Sequence, residues 1–401
     1  MSPPAPPMLS GIVATTDVHS HLERAAGLLS LLESERGRSL RVDCGDFFEG
    51  TGYYRMGGGG LERRLLANFY DAVVVGNHGY AHHYRDPAVA AVTVCANVVD
   101  TAGQPVWQPV RTAMISGRNV AITGIISPQA LACVPSHERY GHSAIAPASA
   151  LRSLMGTCDA QAWVVLSHSG FEFDLALARA LPGLDVVFAG HCHSPHSGPR
   201  RAGTAVVVKG AELAEGYAHA VPRGATWRAT THAMPAADSV APTPSARAVL
   251  SETEAMRSRA SILGALDDPY QDTIVDPPAL AAAVASATHH ATGQPVLLNA
   301  TALRPVRLGT ELTDWNLLEI DPFANIFVKA ELESPLTRYD WRALTAAVGP
   351  VAHHPGKPSG QNIVTTAYLA QTHLGARRLA PTGLELGELL TDVLTTRRGR
   401  W

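Results

Sequence analysis

Five short, mostly valine-rich runs in the first half of the chain each lead into side chains of the kind that bind metal ions. Gly11-Ile-Val-Ala-Thr-Thr16 runs into Asp17 and His19, Leu40-Arg-Val-Asp-Cys-Gly45 into Asp46, and Ala72-Val-Val-Val-Gly76 into Asn77 and His78. Trp163-Val-Val-Leu-Ser167 runs into His168, and Asp185-Val-Val-Phe-Ala-Gly190 into His191 and His193. Apolar runs of this length, rich in β-branched residues and bounded by glycine, read as strands. Helical patterns at 22–35, 61–70, 148–156 and 172–181 lie between them, and that alternation predicts an α/β domain. Sheets of this kind place ligands beyond the carboxyl ends of their strands. One polar residue after one strand is an ordinary turn, whereas five strands ending in metal-type ligands point to a shared site.

The chain has 401 residues, enough for two domains. Hydrophobic residues make up 46% and charged residues 17%, with a mean hydropathy of +0.03, a profile of globular folding rather than disorder. A net charge of −3 argues against nucleic acid or an anionic membrane as the main partner. No apolar stretch in the sequence approaches the ~20 residues needed to span a bilayer. The first residues, Met-Ser-Pro-Pro-Ala-Pro-Pro, have neither the basic nor the apolar region of an export signal, so a cytoplasmic location is expected. Five scattered cysteines without a CxxC pair are expected to be reduced.

The predicted organisation is a catalytic domain over 8–235, a linker and connecting helix over 236–266, and a smaller domain over 267–401. Within 236–266 a helix is expected over 245–263. In the smaller domain helices are expected at 278–290, 313–320, 338–348 and 384–396, and strands at 295–298, 325–332 and 362–369. Gly57 to Gly60 lack the Lys-Ser/Thr of a P-loop and read as a flexible loop. His289-His290 and His353-His354 read as exposed pairs. Cys192, between two candidate ligands, reads as structural.

Asp17 and His19, two apart on an extended chain, would point the same way and could share an ion, as would His191 and His193. Asp46 can bridge two cations through its two oxygens, Asn77 offers an amide oxygen, and His168 another imidazole. The pool of two carboxylates, one amide and four imidazoles suits two divalent ions of the Mn, Zn, Fe or Co type, not all-oxygen Mg or Ca. Such a pair carries net positive charge matched to a phosphate. Ions ~3.5–4 Å apart generate hydroxide near neutral pH and clamp the oxygens of an in-line displacement.

Asp17-Val-His19, Gly45-Asp46, Gly76-Asn77-His78, His168 and Gly190-His191-Cys192-His193 resemble, in order and spacing, the motif series of the calcineurin-like metallophosphoesterases, and Thr16-Asp17-Val-His19 resembles their 5'-nucleotidase branch. The resemblance implies a β-sandwich flanked by helices, followed by a smaller α+β domain. It implies one metal held by Asp17, His19, Asp46 and His193 and another by Asp46, Asn77, His168 and His191, with His78 facing the phosphate. His21 and Asp43 would support the ligands rather than bind metal.

In the smaller domain Asn299 and Arg304 resemble the family's Asn-Gly-Gly-x-x-Arg segment, and Asp321-Pro-Phe-Ala-Asn325 its Pro-Phe-x-Asn segment. The implied roles are base or sugar contact for Asn299, phosphate contact for Arg304 and base stacking for Phe323. Tyr368 would complete an aromatic sandwich or pack in the core.

The chain also departs from the family. After His78 it reads Gly79-Tyr80-Ala81 where the family has Glu-Phe-Asp, so the carboxylate that orients this histidine is missing from its place. Asp86, His82 through water, or the substrate could replace it. Gln371-Thr-His-Leu-Gly375 stands where the family's ribose-binding Gly-Gly-Asp-Gly would be, and Ala300 and Thr301 replace two glycines, which points to a modified sugar or another phosphate ester. The resulting expectation is a phosphomonoesterase acting on a nucleoside 5'-monophosphate or modified nucleotide. The alternatives are a phosphodiesterase or pyrophosphatase on cyclic nucleotides or nucleotide sugars, a nucleotide-binding protein with weakened catalysis, and a sulfur-ester hydrolase.

Overall fold

The computed structural model describes residues 9–192, 198–236, 241–323 and 325–395. The chain divides into two compact units, residues 1–49 with 56–255, and residues 50–55 with 256–401. Residues 50–55, which the sequence reading kept inside the first domain, count with the second because Tyr53 sets its ring edge-on to Trp315, at 4.7 Å between centroids. Among the described residues no helix is long and apolar enough to cross a membrane.

Two sheets face one another in the first unit. One has the spatial order Thr226–Ala233, Gly216–Arg223, Gly11–Thr15, Ser39–Asp43, Ala72–Val73; the other runs Arg200–Ala202, Ala205–Val208, Val186–Ala189, Ala162–His168, Arg118–Ile126, Val110–Ile115. Side chains alternate across each strand. Ile12, Ala14 and Val42 of the first sheet therefore meet Ile122, Val164, Leu166, Phe188 and Val208 of the second in one buried layer. The opposite parity of the second sheet, Ala121, Val165, Val187 and Val207, packs on Phe171, Leu175 and Ala178 of the helix Phe171–Ala180. This is the helix-flanked sandwich that the resemblance implied.

The strands Gly11–Thr15, Ser39–Asp43 and Ala72–Val73 are mutually parallel, as are Arg118–Ile126, Ala162–His168 and Val186–Ala189. The segments 16–20, 44–49, 76–79 and 190–192 and the strand-end residue His168, which carry the candidate ligands, lie at or just beyond the carboxyl ends of five of these strands.

The second unit is built on a sheet ordered Val351–His354, Val296–Asn299, Asn362–Thr366, Ile326–Glu331, Arg378–Glu385. Leu280, Ala281 and Val284 of the helix Pro277–Thr292 and Leu386, Leu389 and Leu390 of Leu386–Leu394 bury one face against Val296, Leu298 and Val364. Leu344 and Val348 of Arg338–Val348 bury the other against Leu297, Val328 and Ile363.

Several expected elements are revised. The helix expected over 245–263 is Pro244–Arg257, and Ile262–Ala265 is instead a strand paired with Glu311–Thr313. Apolar Ile262 and Leu263 fit either period, and a partner strand decided between them. The strand expected over 362–369 stops at Thr366, whose hydroxyl accepts the N–H of Leu369 and starts the helix Ala367–Thr372. Gly57 and Gly60 end one helix and begin the next, with Gly58 and Gly59 in left-handed backbone between them.

Candidate metal centre

The loops after the strands zip together through their backbones. Asp17, His19 and Ser20 donate N–H groups to the carbonyls of Gly45, Asp46 and Phe47 at 2.9–3.0 Å. Convergence is not achieved by an extended chain, as the Asp-x-His spacing suggested. Asp17 and His19 both have φ 48°, Ser20 57°, Asp46 53° and His191 76°, a left-handed backbone that L-residues with side chains rarely adopt. Strain of this kind persists only where surrounding contacts over-determine it, and it gathers at functional sites.

The close approach of the chains requires glycine at two places. A methyl group on Gly76 would lie 2.1 Å from Asp46 Oδ1, and one on Gly45, at φ 92°, would lie 2.6 Å from His168 Nδ1.

Asp46 is the hinge of the constellation. One carboxylate oxygen, Oδ1, lies 3.2 Å from His168 Nε2, while the other, Oδ2, lies 3.8 Å from His19 Nε2. Asn77 Oδ1 is 3.1 Å from His168 Nε2, and the rings of His168 and His191 are 4.9 Å apart. Asp17 receives the N–H of His191 at 3.1 Å. Two groups among the described residues could each hold a metal ion, with ligand atoms within 4.8 Å of one another: His19, Asp46 and His78, and Asp46, His168 and His191. His78 stands in the first group where the sequence reading had Asp17, and His193 lies outside the described residues.

The electrostatics fit a cation. Burial acts to raise Asp46, yet His168, His78 and His19 around it hold its carboxyl well below the usual range. Burial acts to lower His168, but Asp46, Asp17 and the Cys44 carbonyl lift it to about 9. Facing the Cys44 carbonyl at 2.8 Å, Nδ1 of His168 is the donor, which turns Nε2 toward Asp46 and Asn77, the arrangement typical of a metal-ligating imidazole. Imidazole, carboxylate and amide oxygen together suit a divalent transition ion.

Neighbouring groups hold these loops. Asp43 accepts the Thr15 hydroxyl at 2.6 Å and the Gly45 N–H at 2.9 Å, and burial pushes it up to about 8 against those donors. His21 pairs with Glu23 at 2.7 Å. Sγ of Cys192 accepts the Phe171 N–H at 3.1 Å. Buried Glu62 accepts the Ser20 hydroxyl, and buried Lys209 donates to the Cys192 carbonyl and pairs with Glu212.

The sequence reading missed Glu49. Its Oε2 lies 2.7 Å from His78 Nδ1, and its Oε1 accepts the Gly79 N–H at 2.8 Å. The available signal was an acid three residues after Asp46 in Gly-Asp-Phe-Phe-Glu-Gly, followed by glycine. Asp86, proposed in its place, instead caps the helix Pro87–Val92 and pairs with Arg63 at 3.2 Å. His82 stacks on Phe48, at 4.5 Å between centroids.

In the second unit Asn299 is buried, and Nδ2 donates to Thr301 at 2.8 Å while Oδ1 has no hydrogen-bond partner among the described residues. Thr301, in place of a glycine, spans Asn299 and the Val348 carbonyl. The Arg304 guanidinium lies 5.2 Å from the Phe323 ring centre. Tyr368 sits on the helix Ala367–Thr372, 44% exposed, with its hydroxyl 3.2 Å from His373 Nε2. Core packing is therefore not its role.

No family model matches the chain. It is 23% identical over 229 residues to the trifunctional nucleotide phosphoesterase YfkN of Bacillus subtilis, covering 46% of this chain and 16% of that protein. It is 24% identical over 217 residues to the 5'-nucleotidase of Rattus norvegicus, covering 46% and 38%. The chain thus spans well under half the length of these curated relatives. Its fold is similar to that of a 5'-nucleotidase precursor from Thermus thermophilus, with a TM-score of 0.72 and 18% identity over 96% of each chain. Two facing sheets with carboxylate, amide and imidazole side chains at their strand ends give the chain a fold similar to that of solved 5'-nucleotidases. The curated proteins that its sequence matches are a nucleotide phosphoesterase and a 5'-nucleotidase.

Proposed function

We propose that the chain is a metal-dependent phosphomonoesterase that converts a nucleoside 5'-monophosphate, or a nucleotide with a modified sugar, to nucleoside and phosphate. The observation that carries this reading is Asp46, whose two oxygens face two separate imidazole clusters, as a bridging ligand requires. In this reading Asp17, His19, Asp46 and His193 hold one divalent cation, and Asp46, Asn77, His168 and His191 the other. When bound, such ions supply positive charge to the phosphoryl oxygens and make hydroxide available near neutral pH.

The remaining work belongs to the chain's own side chains. His78, about a quarter exposed, is the residue assigned to the phosphate, where an imidazole N–H stabilises developing charge and protonates the departing oxygen. Arg304 offers a planar cation for phosphate and Asn299 Oδ1 an acceptor for base or sugar N–H or O–H groups. Phe323 offers a stacking face that any nucleobase can use, with Tyr368 as a second ring. The sequences matched come from a nucleotide phosphoesterase and a 5'-nucleotidase, which favours nucleotides as the substrate class. A cytoplasmic location stays part of this proposal.

The test is release of inorganic phosphate from common and sugar-modified nucleotides, with metal analysis before and after chelation. The expected result is phosphate release that chelation abolishes and added manganese, zinc, iron or cobalt restores. Release of nucleoside monophosphate from cyclic nucleotides or nucleotide sugars in its place would make the enzyme a diesterase. Nucleotide binding without hydrolysis of any ester would overturn the enzymatic reading.

A further inference from the structure

His78 is held on both sides by one loop. Its backbone N–H donates to Asp46 Oδ1 at 2.8 Å, and the next amide, Gly79 N–H, donates to Glu49 Oε1 at 2.8 Å. The other oxygen of Glu49 meets the ring itself, 2.7 Å from Nδ1. Two consecutive amides and one imidazole nitrogen are thus read by two carboxylates three residues apart. The spacing works because Asp46 and Glu49 both adopt left-handed backbone, at φ 53° and 63°. The turn then coils back on itself rather than running on.

An ionised carboxylate only accepts, so Nδ1 must carry the hydrogen, and Nε2 is left to present its lone pair or proton elsewhere. The ring remains 27% exposed on its side chain, and Glu49 24%. It sits edge-on to His19, with centroids 5.1 Å apart. The groups that the sequence offered as partners are committed to other contacts: Asp86 to a helix start and Arg63, His82 to Phe48 and, at 3.2 Å, to Arg63.

We propose that Glu49 is the positioning residue of the site: its carboxylate fixes the Nδ1–H tautomer of His78 and aims Nε2 at the ester oxygen that leaves. The carboxylate comes from the loop after the second strand rather than from the segment following His78, where Gly79-Tyr80-Ala81 provides none. This rests on the reading of His78 as the residue that faces the phosphate. On that reading His78, its Nδ1–H held by Glu49, takes a solvent proton at Nε2 and passes it to the leaving oxygen as the phosphorus–oxygen bond breaks, which returns the ring to the neutral Nδ1–H tautomer.

The test uses the full chain as wild type, Glu49→Gln, Glu49→Ala, Glu49→Asp and His78→Ala, on a nucleoside 5'-monophosphate and on p-nitrophenyl phosphate. Nitrophenolate leaves without a proton and an alkoxide does not, so the two esters separate proton donation from every other role. Glu49→Gln and Glu49→Ala are expected to lower kcat on the nucleotide roughly 10- to 100-fold, the range found for groups that orient a reacting or ligating side chain. On the aryl ester the expected loss is below about threefold, with KM on both esters and metal content unchanged and a partial return in Glu49→Asp. His78→Ala must keep its metal complement.

Nitrogen-15 NMR of the imidazoles gives a readout independent of turnover. His78, assigned by its absence from His78→Ala, is expected as the Nδ1–H tautomer in wild type and as a mixture in Glu49→Ala. Equal losses on the two esters, lost metal in the Glu49 variants or His78→Ala, or a tautomer indifferent to Glu49 would each overturn the proposal. A wild type that hydrolyses no phosphate ester would instead remove the functional reading, while the NMR result still decides what Glu49 does to the ring.

Discussion

The candidate ligands of the first unit and the candidate recognition residues of the second are built to different standards. Asp17, His19, Asp46 and His168 are 2% exposed or less and sit in or against left-handed loops; Asp17 and Asp46 accept the backbone N–H groups of His191 and His78, and His168 faces the Cys44 carbonyl. Phe323 is half-buried beside the Arg304 guanidinium, and Tyr368 is exposed with its hydroxyl near His373. Buried polar groups must be satisfied almost completely, so one change disturbs several contacts. Exposed aromatic and cationic groups can be exchanged one at a time.

Substitutions can break or sharpen this contrast. The largest effect is expected from Asp46→Asn, which halves the charge of the two carboxylates at the centre. Metal content should fall and phosphate release drop by roughly 10³-fold or more, the scale of losing metal-assisted activation. Retained metal and activity, measured by elemental analysis and initial rates, would mean that Asp46 is not the bridge.

Gly76→Ala comes next. Its methyl group would lie 2.1 Å from Asp46 Oδ1 and 2.3 Å from the Asp46 backbone nitrogen, which cannot give way, and overpacking of this kind costs about 1–3 kcal/mol. We expect a lowered unfolding midpoint together with reduced metal affinity in titration. A fall in stability with unchanged affinity would separate the fold from the site.

Phe323→Ala should leave kcat and metal content alone and raise KM for nucleotides roughly 5- to 100-fold, from ~1–3 kcal/mol of stacking. Tyr368→Ala should do less, because that ring is more exposed. Steady-state kinetics on nucleotides and on base-free phosphate esters checks both, since the effect must vanish without a base.

A pH dependence is also expected of the second unit. Burial raises Asp321 to about 6, against the pull of the Asn325 amide groups that hydrogen-bond to it. The native state therefore binds the proton more tightly than the unfolded chain, and stability falls as pH rises from about 4 to 6, by at most about 3 kcal/mol. Asp321→Asn should flatten that slope in urea unfolding followed from pH 4 to 7. An unchanged or reversed slope would rule out Asp321 as its source.

Much of the architecture was legible because periodicity reports burial directly. Valine-rich runs between amphipathic stretches announced the α/β order, and alternate residues such as Val164 and Val165 went to opposite layers, as period two demands. Legibility failed where two periods fit one short apolar run, at Ile262 and Leu263, and where a hydroxyl at Thr366 turned a strand into a helix.

Residue type, order and spacing along the chain determined which side chains had the chemistry to hold cations, because strand ends in an α/β sheet are brought to one edge whatever lies between them. Only the tertiary structure decided how they meet. The left-handed turns that replace the expected extended segments, and the pairing of Glu49 with His78 across 29 residues, depend on contacts between loops that are distant in sequence. A linear pattern records neighbours along the backbone, whereas a carboxylate's partner is whatever the fold brings within about 3 Å.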